Sequence, residues 1–242
     1  MASIPRGVVD ERGRQAVVHD HEGALMALDL ESGALLWRHG PGMRPCALHA
    51  GSVVALRIGA APELVVVVLD AGSGADRWEA EPVALPSWAR CTLDDTREFA
   101  LSAEPVGDAV VLRWVARSWY GGGAAPSARV LEESRREAHG ALRVDPARAG
   151  RVEVLPVPAE ADVPPPVPPE APPHPPHPSY PPYQQPPDVV DQSVVGDLRL
   201  ELARRADSGA VVLRAVDPRT GTRAWEVELD RTTPQRAPRL PP

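Results

Sequence analysis

Apolar residues in this chain fall in short runs separated by small clusters of Gly, Asp, Pro and Ser. LMALD at 25–29, VVALRI at 53–58, LVVVVLD at 64–70, AVVLRWVARS at 109–118, LRLELAR at 198–204 and VVLRAV at 211–216 are examples. Some runs are continuous and some alternate, but none keeps the 3.6-residue period of an amphipathic helix over a helix's length. Valine and leucine dominate them, and turn-forming residues bound each one. That pattern predicts β-strands joined by tight turns.

The runs recur with a common ending. ALDLESGALLW closes at Trp37, VLDAGSGADRW at Trp78 and AVDPRTGTRAW at Trp225, with Asp29, Gly33, then Asp70, Gly74, then Asp217, Gly221 at matching offsets. A fourth copy, RVDPARAGRVEV, has drifted: Gly150 follows Asp145 one residue late, and Val154 takes the place expected for tryptophan. The phrase has the chemistry of a hairpin. The aspartate carboxylate accepts backbone amides just ahead and starts the turn. Glycine closes it in the left-handed conformation, where it has no Cβ to clash. Strand alternation then places Leu35 and Trp37 on one face, and turns Ala224 and Glu226 away from Trp225. An indole repeated once per unit is a wedge between neighbouring sheets, and its full burial is worth about 3 kcal/mol.

A second strand pair precedes the later phrases: GSVVALRIG, VGDAVVLRWVARSW and VVGDLRLELARRA. Each unit therefore holds four antiparallel strands, and the first interval between units matches the roughly 40–45 residues of one propeller blade. The expected fold is all-β, a propeller of about four four-stranded blades. Blades one to three occupy 1–155, a proline-rich disordered loop 156–187, the fourth blade 188–231 and a tail 232–242. Three assemblies fit: a closed four-blade monomer, a half-ring that a second chain completes to about eight blades, or a remnant of a longer propeller.

The pattern A-x-D-x-x-T-G-x-x-x-W, fullest in AVDPRTGTRAW and present with Ser in ALDLESGALLW, resembles the repeat of the pyrroloquinoline-quinone-type (PQQ-like) β-propellers. The resemblance covers most of the chain outside its insertions. It implies the fold, and it admits both quinone-dependent dehydrogenases and non-catalytic propellers that bind other proteins. The dehydrogenases carry an asparagine beside their calcium and a disulfide between adjacent cysteines. This chain has no asparagine, and its cysteines, Cys46 and Cys91, are far apart. They are expected as two buried thiols, or else as an inter-blade bridge.

Composition removes further chemistry. With no lysine in the chain, neither a Schiff base nor a phosphate-loop lysine is available. A formal net charge of −7 argues against nucleic acid. No nucleophile elbow, H-E-x-x-H or C-x-x-C motif occurs. His19 and His21 lack an evident third ligand, Asp94 with Asp95 and Glu132 with Glu133 read as solvated surface, and Arg113 with Arg117 as ordinary strand charges. No catalytic, cofactor or metal residue is expected. The start of the chain has no apolar core of secretory length and the longest apolar run is too short to cross a bilayer, so a cytoplasmic setting is expected, with no membrane span. Abundant Ala, Arg, Pro and Val beside the missing Lys and Asn suit a GC-rich bacterial genome.

Two insertions carry the functional expectation. The first, WYGGGAAPSARVLEESRREAH from Trp119 to His139, pairs two aromatics with a glycine hinge and a short charged stretch of helical spacing between Glu132 and Arg136. The second, Pro156 to Pro187, is dominated by proline with Tyr180 and Tyr183 inside it, and favours extended, unpacked chain. Strand parity puts the D-x-x-x-G hairpins on one side of the blades and both insertions on the other. A non-catalytic scaffold that binds a protein through Trp119, Tyr120, Tyr180 and Tyr183 is the expected function. A quinone- or small-ligand-binding oxidoreductase or sensor is the alternative.

Overall fold

The computed structural model describes residues 3–10, 12, 14–118, 136–156 and 188–230. These residues form four antiparallel sheets with no helix among them, and so no helix long and apolar enough to cross a membrane. The chain is a set of propeller blades. The first holds β1 (Ser3–Ile4), β2 (Gly7–Val9), β3 (Gln15–His19), β4 (Leu25–Asp29) and β5 (Leu35–Arg38) in sequential order. In the second, β6 (Met43–His49), β7 (Ser52–Arg57) and β8 (Glu63–Asp70) run side by side. The outer edge of β8 is then shared by β9 (Asp76–Glu79) and β10 (Val83–Ala84).

The third blade is β11 (Phe99–Val106), β12 (Ala109–Ser118), β13 (Arg136–Val144) and β14 (Val152–Leu155). The fourth is β15 (Val189–Val195), β16 (Leu198–Arg204), β17 (Val211–Val216) and β18 (Arg223–Asp230). In every blade the aspartate–glycine turn joins the third core strand to the outer one, as parity requires. The first insertion interrupts β12 to β13, and the second is the crossover from β14 to β15. Because Arg136 already opens β13, residues 136–139 are strand and not part of a helical loop. Glu132, Glu133, Trp119, Tyr120, Tyr180 and Tyr183 lie outside the described residues, as does the proline-rich segment.

The repeat chemistry is as the sequence dictates. Asp29 Oδ1 accepts Ser32 N–H at 2.8 Å, Asp70 Oδ1 accepts Ser73 N–H at 2.9 Å, and Asp217 Oδ1 accepts Arg219 N–H at 2.7 Å. Gly33, Gly74 and Gly221 each donate to the carbonyl of their aspartate at 2.8 Å, with φ of 72°, 71° and 71°. The Asp145 turn is different: Arg148, not Gly150, donates to the aspartate carbonyl.

Strand register corrects two sequence expectations. In the three tryptophan blades the outer ladder carries a bulge, so Trp37 stands opposite Ala27 while Leu35 stands opposite Leu28. The extra residue flips the alternation, and Leu35 lies exposed on the face opposite the buried Trp37. In the third blade the extra residue sits in the turn and the ladder is unshifted. Tryptophan faces the residue two before the motif aspartate in each of the other blades: Ala27, Val68 and Ala215. In the third that residue is Arg143, and its partner is Glu153. Glu153, not Val154, therefore occupies the tryptophan register.

Three apolar clusters hold the blades together. One joins the fourth blade to the first through Leu213, Ala215, Leu28 and Trp225. Another joins the first to the second through Ala27, Trp37, Val53 and Leu69. The largest joins the second to the third through Leu56, Val68, Phe99 and Leu112. Among the described residues no such cluster joins the third to the fourth, so the blades run in the order four, one, two, three.

Candidate functional site

Each wedge indole lands on the turn of the following blade. Trp37 Nε1–H donates to the Ala71 carbonyl at 2.8 Å, Trp225 to that of Leu30 at 2.8 Å, and Trp78 to that of Pro146 at 3.1 Å. Trp37 and Trp225 are buried, whereas Trp78 is partly exposed. The turn glycine has a second duty that sequence reasoning missed. A Cβ at Gly74 would come within 2.5 Å of Trp37, and one at Gly33 within 2.7 Å of Trp225. These motif residues are structural, and they leave the inner strands and the opposite ends of the blades as the place for a site.

The innermost strands surround a cavity of about 780 Å³ to which all four blades contribute. Its lining includes Arg6 and His19 of the first blade, Arg44 and Cys46 of the second, Ser102 and Ala103 of the third, and Asp191 and Leu202 of the fourth. Arg6, His19, Arg44 and Asp191 sit where β2, β6 and β15 begin and β3 ends. By strand direction those ends lie on the side from which both insertions leave. Asp94 and Asp95 reach the same mouth from the loop ahead of β11.

The mouth is held by ion pairs across blades. Arg6 Nη1 meets Asp230 Oδ2 at 2.6 Å, joining the first blade to the fourth. Asp230 Oδ1 also accepts the backbone N–H of His21 at 2.7 Å. His19 is buried, with Nε2 at 3.2 Å from Asp94 Oδ1 and Nδ1 at 2.8 Å from the Asp20 carbonyl. Arg44, also buried, reaches Asp95 at 2.5 Å and donates to the Thr92 carbonyl at 3.1 Å. The hydrogen bond from His19 holds the Asp94 carboxyl below its ordinary range. Asp94 and Asp95 are exposed, as expected, and each also pairs with a buried cationic or imidazole side chain. Their partners lie some 50 to 75 residues earlier in the chain, which no local pattern signals.

The remaining candidate residues build no catalytic or metal centre among the described residues. His19 and His21 take different partners, and no group of three metal-ligating side chains gathers among the described residues. Arg113 and Arg117 lie on a side face of the third blade, paired with Glu104 and Glu137, each at 2.8 Å. Cys46 and Cys91 are free thiols buried in one apolar cluster. Burial pushes them up to about 12 and about 11, which keeps both protonated and poorly nucleophilic. Each arginine at the mouth is already answered by a carboxylate. The arrangement suits recognition by hydrogen bonds and shape.

No family model matches the chain, and no curated protein matches it. Among solved structures it is similar to BamB from Moraxella catarrhalis, at 16% identity over 91% of this chain and 60% of that one, with a TM-score of 0.29. It is also similar to the WD40 domain of SCAP from fission yeast, at 11% identity over 95% of this chain and 59% of that one, again with a TM-score of 0.29. The chain thus spans about three-fifths of the length of each. The blade plan described above stands on the strand ladders themselves.

Proposed function

We propose that this chain is a non-catalytic protein-binding propeller module whose working surface is the side bearing both insertions. One observation carries the reading: the two insertions leave from the same side of the blades, and the axial cavity opens onto it. A rigid β frame that displays irregular segments beside a polar, inter-blade mouth is how scaffolds of this kind present binding residues. Trp119, Tyr120, Tyr180 and Tyr183 are the anchors assigned to that surface, since aromatics dominate the energetics of interfaces. The likeness of AVDPRTGTRAW to the PQQ-like repeat supports the scaffold class and does not require the quinone.

Replacing the four aromatics with Ser is expected to abolish capture of a partner from the native host while circular dichroism stays unchanged. Retention of every partner by that variant would overturn the reading. The cavity volume favours one second reading, a small ligand bound at the axis. Incubation with the quinone and calcium, followed by gel filtration, separates the two: a chromophore that co-elutes with the protein, with dye-linked oxidation of an alcohol or aldose, would replace the scaffold.

A further inference from the structure

We propose that the Asp217–Gly221 turn of the fourth blade is a docking seat for a tryptophan carried on a β-strand of a partner protein. Three turns of this chain already hold an indole from a neighbouring blade, and each uses the carbonyl directly after the motif aspartate: Leu30, Ala71 and Pro146. The fourth turn is built to the same plan. Its glycine has φ of 71°, its aspartate caps the amides of Arg219 and Thr220, and Pro218 stands at the carbonyl position. Pro146 shows that proline serves there as acceptor.

Yet among the described residues no indole donates to the Pro218 carbonyl, the three wedge indoles being taken by Leu30, Ala71 and Pro146, and nothing lies within 4 Å of where a Cβ of Gly221 would be. The blade that would supply its indole presents Glu153 in the tryptophan register. The seat therefore continues, by one step, the interface that joins blades four to one, one to two and two to three, and its complement is the group those three steps share.

Charge narrows the partner. The sheet face behind the seat carries Arg214 and Glu201, paired at 2.7 Å, and Arg223 with Glu226, paired at 2.8 Å. A strand that lies on this face must answer charges of both signs around its indole. The seat lies on the turn side of the blade, away from the insertions, so this surface is separate from the one assigned under the proposed function.

The test uses the full-length, 15N-labelled chain and, as probe, a capped synthetic peptide of residues 74–80 (GADRWEA). Saturable amide shifts concentrated on Asp217–Thr222 are expected, and the same peptide with Ala for Trp should give none. Gly221→Asn tolerates the positive φ while filling the seat; it should weaken docking at least tenfold with little change in thermal melting. Absence of shifts at those amides, or equal docking of the Ala peptide, would overturn the proposal. So would sedimentation showing the free chain to be a dimer that Gly221→Asn dissociates, since the occupant would then be a second copy. Loss of partner capture in the four-Ser variant, with peptide docking intact, would concern only the insertion-bearing side.

Discussion

The seam between blades one and two and the facing sides of blades three and four obey the same backbone plan with opposite chemistry. In the first, Ala27, Val53, Ala55, Val67 and Leu69 surround Trp37, which spans to the next turn and seals it. On the third blade the corresponding side carries Glu104, Arg113, Arg117, Glu137, Arg143 and Glu153. On the fourth it carries Arg199, Glu201, Arg214, Arg205 and Glu226, with Glu201 only 2% exposed between two arginines. Removing apolar surface from water drives the sealed seams. A charged side gains nothing by dry contact unless each ion finds a partner, and here Arg113, Arg117 and Arg214 pair with carboxylates of their own sheet. The backbone repeat makes a blade; the side chains on its two faces decide which neighbours it keeps.

The largest test of that contrast is truncation of the wedges. Trp37→Ala and Trp225→Ala are each expected to cost about 3–5 kcal/mol in urea unfolding, as large aromatic truncations in cores do. Trp78→Ala should cost less because that indole is partly exposed. Glu153→Ala, at the same register in the third blade, should stay within about 0.5 kcal/mol. A similar loss at Glu153 would mean the fourth seam is sealed after all.

A finer test compares glycines of equal backbone conformation. Gly74→Ala and Gly221→Ala meet the same left-handed strain, of order 1 kcal/mol. Only the first also drives a Cβ into an indole, 2.5 Å from Trp37. Gly74→Ala should therefore exceed Gly221→Ala by a further 1–3 kcal/mol or so, the range for overpacking. Equal losses would show that the turn glycine serves conformation alone.

The smallest effect is electrostatic. Hydrogen bonds from Arg77 and Ser73 lower the Asp70 carboxyl from 3.8 to about 2. A carboxyl lowered in the folded state contributes stability above its ordinary pKa and loses it as pH falls towards the folded value. NMR titration should find Asp70 ionised at pH 3, and Arg77→Ala should move its midpoint up towards 3.8. An unmoved midpoint would remove Arg77 from the turn's electrostatics.

Local chemistry accounts for what was legible without coordinates. Alternating apolar runs, a capping aspartate and a glycine at fixed spacing act within a few residues of one another, so strands, turns, blade number and the side from which the insertions leave could all be read from the chain. A one-residue bulge is decided by how two strands pair: its presence in the first blade moved Leu35 to the opposite face, and its absence in the third put Glu153 where Val154 was expected. The contacts of Arg44 with Asp95, His19 with Asp94 and Arg6 with Asp230 span 51, 75 and 224 residues, and only packing of the blades brings them to one cavity mouth. By itself the sequence determined the unit and its repetition, because those interactions are local. Tertiary structure alone decided which seams are sealed and which charges meet at the axis, because these depend on the faces that distant strands turn towards each other.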